Sequence, residues 1–358
     1  MKILYVDTFA DGHHVAYING LLKNTDANIV LALPEKITIP TEHKQIVVAY
    51  DAKKRSIQYD ISWLNRIYNV AEQENPDIVH FLYGDILYRS LGAGLNKFKK
   101  YKTIVTFHVI KNDFKHRIGM RIIAKKVDQC VVHTQALFEQ TMSWNISNAV
   151  QIEYPCFFPE NIHSVDNLRK QYNISKESTV FLAIGGTREY KGLNYLLEAL
   201  KNVRGDFHLV IAGAEEFYTK KYIEDCIVNY SNRVTLILHQ LSDEEFMDCL
   251  TLSDWIVLPY KKSFSGASGP LAEGVVYGKK IIGVDTGSIG RLIREHNLGY
   301  TFEAENICAL SEVLSKALVT QWIKDERYKN YQQSLNPNVF LRKYQELYRR
   351  LVIDYTDK

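Results

Sequence analysis

Short apolar runs alternate with stretches of helical spacing through both halves of the chain. Residues 2–6 (KILYV), 28–32 (NIVLA), 46–49 (IVVA), 77–81 (DIVHF), 103–107 (TIVTF) and 129–133 (QCVVH) read as buried strands. Between them, segments such as 13–23 and 62–74 carry apolar residues at helical spacing. The rhythm restarts after residue 175, with strands predicted at 179–184, 207–212, 233–238, 255–259 and 280–284 and helices at 192–203, 218–229, 243–252 and 270–277. Alternation of this kind predicts βαβ units and a parallel sheet in each half. Residues 154–168 (YPCFFPENIHSVDNL), with two prolines and mixed polarity, read as the linker. The predicted fold class is α/β: two Rossmann-like, doubly wound parallel-sheet domains facing across a cleft. In such sheets ligands bind beyond the carboxyl ends of the strands.

Composition narrows the function classes. At 358 residues the chain suits two domains, and 46% hydrophobic with 24% charged residues is globular rather than disordered. A net charge of +3 gives no support to nucleic acid as a partner. Cys130, Cys156, Cys226, Cys249 and Cys308 are scattered singly, which argues against a disulfide framework or a structural zinc site. The amino terminus lacks a secretory pattern, and no stretch reaches the roughly 18–20 apolar residues that span a bilayer. The expected compartment is a reducing cytoplasm, with membrane contact only at the surface.

Two segments of the second half carry candidate chemistry. In FLAIGGTREYKGLN (181–194) a strand ends in Gly185-Gly186, followed by Arg188 and Lys191. Paired glycines let the backbone turn sharply, and two cations three residues apart can converge on one anion, a diphosphate being the natural ligand. These residues alone suit a solvated loop equally well. In LPYKKSFSGASGPLAEGVVYG (258–278) a Ser/Gly loop leads to Pro270 at a predicted helix start, with Ser268 or Gly269 as cap. The amides of Ser268, Gly269 and Leu271 would face a phosphate, and Glu273, placed on the first turn, could accept hydrogen bonds from two ribose hydroxyls. The competing reading is an ordinary capped helix.

Together these segments resemble the retaining GT-B glycosyltransferases of glycosyltransferase family 4. The resemblance rests on GGTREYKG at 185–192, VIAG at 210–213, 241–260, 265–293 and YQELYRRLV at 344–352, in the family's order. It implies an acceptor-binding domain over 1–165, a nucleotide-sugar domain over 166–335, and a C-terminal helix in 336–358 packing back on the first domain. It implies that Arg188 and Lys191 bind the donor diphosphate, that the Ser268–Leu271 amides support it beside Gly186, and that Glu273 holds the ribose. The family's first glutamate corresponds to Ser265 here, so contacts to the donor sugar must differ. That departure keeps a non-catalytic glycan-binding or partner protein as an alternative, beside a sugar-nucleotide epimerase. The resemblance further implies retention of configuration and no bound metal or cofactor, the nucleotide diphosphate sugar being the donor substrate.

The first half supplies the acceptor side. TFADGHHVAYINGLL (8–22) places Gly12 and the pair His13 and His14 at the end of the first strand, where glycine permits close approach and a histidine can donate to a ligand. The family has a glycine-rich loop here; His13 is the working choice, and the sequence does not decide between the two. His108 ends the strand 103–107, where the family frequently has a histidine beside the transferred sugar, which implies a positioning role. His133, one strand on, reads as structural. Residues 97–126 hold ten Lys/Arg against Asp113, interleaved with Phe98, Phe114, Ile118, Met120, Ile122 and Ile123. Such a basic, partly amphipathic surface suits anionic lipid head groups and a lipid-linked or glycan acceptor, as in bacterial surface-polysaccharide assembly.

Overall fold

The computed structural model describes residues 1–24, 26–40, 42–54, 56–157, 163–264 and 268–356. They divide into two units: Met1–Phe157 with Pro337–Lys358, and Phe158–Asn336. The first holds β1 (Lys2–Val6), α1 (Gly12–Leu22), β2 (Asn28–Leu33), β3 (Lys44–Val47), α2 (Ile57–Glu74), β4 (Ile78–Phe81), β5 (Lys102–Phe107), α3 (Phe114–Ala124), β6 (Gln129–Val132), α4 (Gln135–Ser143) and β7 (Ala149–Gln151). The second runs α5 (Val165–Gln171), β8 (Thr179–Ile184), α6 (Leu193–Leu200), β9 (Phe207–Ala212), α7 (Lys220–Ile227), β10 (Val234–Ile237), α8 (Asp243–Leu252), β11 (Trp255–Leu258), α9 (Gly269–Val276), β12 (Lys280–Val284), α10 (Gly287–Glu295), β13 (Gly299–Phe302), α11 (Ile307–Val319) and α12 (Glu326–Ser334). The helix α13 (Pro337–Thr356) returns to the first unit.

Both sheets are parallel and doubly wound. Their strand orders are β3-β2-β1-β4-β5-β6-β7 and β10-β9-β8-β11-β12-β13. Each order reverses once, between β1 and β4 and between β8 and β11, and a reversal leaves a crevice at the carboxyl ends of the two strands. The central strands are apolar because helices cover both faces: β4, β6, β9 and β11 are buried along their whole length.

Periodicity located the central strands and missed peripheral elements. The strand read at 46–49 pairs at 44–47 instead, because β3 is an edge strand whose extent follows its ladder with β2, from Val30 opposite Lys44 to Leu33 opposite Val47. The helix read from 62 begins at Ile57, where the Ser56 side chain accepts from the Tyr59 amide. The segment read as a linker to residue 168 contains the start of α5, capped by Ser164. α8 spans the predicted 243–252, fixed by a capping box of Ser242 and Glu245.

The helix α13 is held by a tyrosine face. Phe340, Tyr344 and Tyr348 follow helical spacing and are fully or almost fully buried against Tyr5, Tyr17 and His80. The two tyrosine hydroxyls join a buried network: Tyr344 bonds Tyr17 at 2.5 Å and Thr106 at 3.2 Å, while Tyr348 bonds His80 Nδ1 at 2.8 Å. The other His80 nitrogen bonds Thr106 at 2.8 Å, so both ring nitrogens are satisfied.

Candidate functional site

The reversal of the second sheet brings the end of β8 beside the end of β11. After β8, Gly185 takes φ +97, and a Cβ there would collide with Lys191 Nζ. The positive φ favours glycine for the turn, and its missing Cβ leaves room for the lysine amine. Gly192 takes φ +63 at the start of α6, where a Cβ would strike the Pro259 carbonyl. These two positions clamp the Arg188–Lys191 turn onto the end of β11.

Lys191 is partly buried in this corner. Its Nζ donates to the Ile184 carbonyl at 2.8 Å and stands 5.9 Å from the Tyr260 ring centre. Burial, then the nearby Arg188 charge, push its pKa down to about 8. A pocket lined by Gly185, Gly186, Thr187, Lys191, Pro259 and Tyr260 opens at this point. Glu273 approaches the same corner from α9. Burial pushes its carboxyl up to about 7, with Lys191 opposing, and its Oε2 is buried without a partner. A buried carboxylate oxygen lacking a donor is costly, and a ligand hydroxyl would relieve it.

The structure corrects two details of α9. Ser268 is the cap, and its Oγ accepts from the Leu271 amide at 3.4 Å. That amide is thus engaged and not available to a phosphate. Glu273 sits one turn into the helix, not on its first turn, because α9 begins at Gly269. Ser265 lies outside the described residues. Arg188 points to Glu216, with Nε–O distances of 2.9 and 3.1 Å, so the two cations do not share one partner in the free protein. Sequence reasoning passed over Glu216; the signal for it was an acidic pair just past a strand that neighbours β8.

In the first unit the corresponding crevice is aromatic and histidine-rich. Asp7 ends β1 and accepts from the amides of Thr8 and Phe9 at 2.7 and 3.0 Å, leaving Oδ2 for His14 Nδ1 at 3.1 Å. His14 is buried beside Phe9, Tyr83 and His108. The side chain of His13 lies outside the described set. Gly12 takes φ +51 in open space, so the turn rather than crowding demands it.

His108 donates from Nε2 to the Leu82 carbonyl at 2.9 Å. Its own amide and that of Val109 are held by the two oxygens of Asp85, at 3.0 and 2.9 Å. Asp85, missed at the sequence level, is pushed up to about 6 by burial against those two backbone bonds. His133 packs edge-on against His108, and its Nδ1 donates to the Ile152 carbonyl at 2.7 Å. Burial holds His133 at about 3, neutral at ordinary pH.

The basic stretch 97–126 is not one surface. β5 runs through its middle inside the sheet, and Phe98, Met120 and Ile123 belong to the core. Lys100 pairs with Glu72 and Lys102 with Asp128, while Lys97 bonds the neutral Asn65 amide. Lys97, Lys99 and Lys100 are exposed before β5, and around α3 Phe114 is 76% and Ile118 37% exposed, with Val109, Lys111, Lys115, Arg117 and Lys125 also exposed. No helix among the described residues is long and apolar enough to cross a membrane.

The turn after β8, the buried amine and the capped α9 all fall inside one stretch that has known relatives. Residues 164–335 match the family model of glycosyl transferases group 1. Among curated proteins, the D-rhamnosyltransferase WbpZ of Pseudomonas aeruginosa is 32% identical over 116 residues, 32% of this chain and only 29% of that protein. The N-acetyl-alpha-D-glucosaminyl L-malate synthase of Bacillus anthracis is 23% identical over 283 residues, covering 75% of this chain and 71% of the relative. The Anabaena protein HepE, solved with UDP and glucose, superposes with a TM-score of 0.69 at 14% identity, over 98% of this chain and 100% of that one. At that identity the likeness establishes the two-domain GT-B fold class. The group 1 match supports a glycosyltransferase.

Proposed function

We propose that the chain transfers a sugar from a nucleotide diphosphate sugar, held by the second unit, to a glycan or lipid-linked acceptor. The supporting observation is that the partly buried Lys191 amine and an unpartnered Glu273 oxygen lie near enough to feel each other's charge at the β8/β11 crevice. Cation and carboxylate there suit the two polar ends of a nucleoside diphosphate, its phosphates and its ribose hydroxyls. As the sugar–phosphate bond breaks, negative charge grows on the leaving diphosphate, and preorganised donors lower that barrier. Lys191, Arg188 and the Ser268–Gly269 amides are assigned this role. Retention, independence of metal and a place in bacterial surface-polysaccharide synthesis complete the proposal, with His108 positioning the sugar beside His14 or His13.

The acceptor side extends the reading. The exposed start of α3 follows His108 directly in sequence and combines aromatic, aliphatic and cationic side chains, the chemistry that seats a protein on an anionic leaflet from the cytoplasmic side. Calorimetric titration with UDP, GDP and ADP tests the donor half. At least one is expected to bind wild type and to bind Lys191→Ala about tenfold or more weakly, the loss of one charge-assisted contact. Binding unchanged by Lys191→Ala would count against the site.

A further inference from the structure

The acidic loop after β9 does not simply border the diphosphate corner. It reaches into it. Glu216 is fixed at its backbone by donating its amide to Thr187 Oγ1 at 2.8 Å, and the following amides of Phe217 and Tyr218 donate to the Thr187 carbonyl. Its carboxylate then lies over the Gly185–Gly186 turn: a Cβ built on Gly186 would run into Glu216 Oε1. From that position it grips Arg188 Nε with both oxygens, at 2.9 and 3.1 Å, and contributes to the field on Lys191. Both partners keep solvent contact, with side chains 57% and 38% exposed, so the pair is weak and can open.

We infer that Glu216 is a built-in stand-in for the donor phosphate, occupying the anion position beside the Gly185–Gly186 turn and Arg188 until a nucleoside diphosphate displaces it. The inference rests on the donor-site reading above. Two anions cannot share that corner, because charges of like sign a few ångström apart repel. Binding therefore requires the Glu216 side chain to swing out and release Arg188 to the phosphates. Glu216 sets the affinity threshold for the donor and gives the cationic corner a partner when no nucleotide is present.

The consequence runs opposite to that of an ordinary binding residue: removing the carboxylate tightens binding. Calorimetric titration with UDP, GDP and ADP should give about fivefold tighter binding to Glu216→Gln than to wild type, and tighter binding to Glu216→Ala as well. In an Arg188→Ala background the gain from Glu216→Gln should shrink. Unchanged or weaker binding by both Glu216 variants, while wild type binds and Lys191→Ala does not, overturns the stand-in role and leaves the donor site intact. Failure of every nucleotide to bind wild type overturns both together.

Discussion

Two side chains at the β8/β11 crevice carry opposite perturbations, and their signs predict a pH window. The Lys191 amine, near 8 instead of 10.5, loses its proton as pH rises through 8. The unfolded chain keeps that proton, so ligand-free stability rises between 8 and 10.5 while attraction for a diphosphate falls. The Glu273 carboxyl, near 7 instead of 4.5, stays protonated in the fold until pH 7. Its contribution to stability is present below 4.5 and lost as pH rises through 7, and only above 7 is it a full acceptor for ribose hydroxyls. Nucleotide affinity should therefore peak between about 7 and 8. Calorimetry across pH 5.5–9.5 should show Lys191→Ala losing the alkaline limb and Glu273→Gln the acidic one; wild-type affinity that is flat over this range contradicts the assignment. In a transfer assay, Arg188→Ala or Lys191→Ala should lower turnover at least about tenfold, since each removes a charge-assisted bond of roughly 1.5–3 kcal/mol. Arg188 and Lys191 were legible in the sequence because paired glycines and cations follow a strand end. Their separate partners were not: Glu216 lies 28 residues on from Arg188, and the Ile184 carbonyl is a backbone group that no residue type marks.

At the level of elements, strands with two neighbours were legible, while of the edge strands β10 was read, β3 was displaced, and β7 and β13 were missed. β4 and β11 are buried along their whole length and read clearly, whereas β3 has no fully buried residue and β13 only Phe302, so both lose the signal. The helix α13 tests how far one element holds a unit. Its tyrosine face caps His80 Nδ1, and Tyr348→Phe leaves that buried nitrogen unsatisfied, for a loss of about 1–3 kcal/mol in urea unfolding. Ending the chain at Asn336 should leave the first unit unable to fold, read as loss of protease resistance over residues 1–157. In the basic stretch sequence charge overstated the surface: Phe98, Met120 and Ile123 go to the core, Lys100 and Lys102 pair with acids, and the apolar residues left outward beside cations are Phe114 and Ile118. Sedimentation with phosphatidylglycerol vesicles should pull down wild type at low salt, and Phe114→Ser with Ile118→Ser should reduce that binding by more than half. Equal binding to phosphatidylcholine vesicles would show that anionic charge is not what is recognised.

For the molecule as a whole, two parallel sheets of reversed strand order each present one crevice, and the two differ in chemistry. The crevice of the second unit sets Lys191 and Arg188 against the carboxylates of Glu273 and Glu216; that of the first is lined by Asp7, His14, His108 and aromatic rings. Fold class was legible because a doubly wound sheet writes itself as a repeating strand–helix rhythm. The histidine cluster was only half legible, since Asp85 holds the His108 backbone from a turn 23 residues away in sequence. The account stands on where a diphosphate binds. A crystal structure of the full chain with a bound nucleoside diphosphate should show a phosphate oxygen within hydrogen-bond distance of Lys191 Nζ and a ribose hydroxyl on Glu273. A nucleotide seated elsewhere, with Lys191 still bonded only to the Ile184 carbonyl, would contradict it.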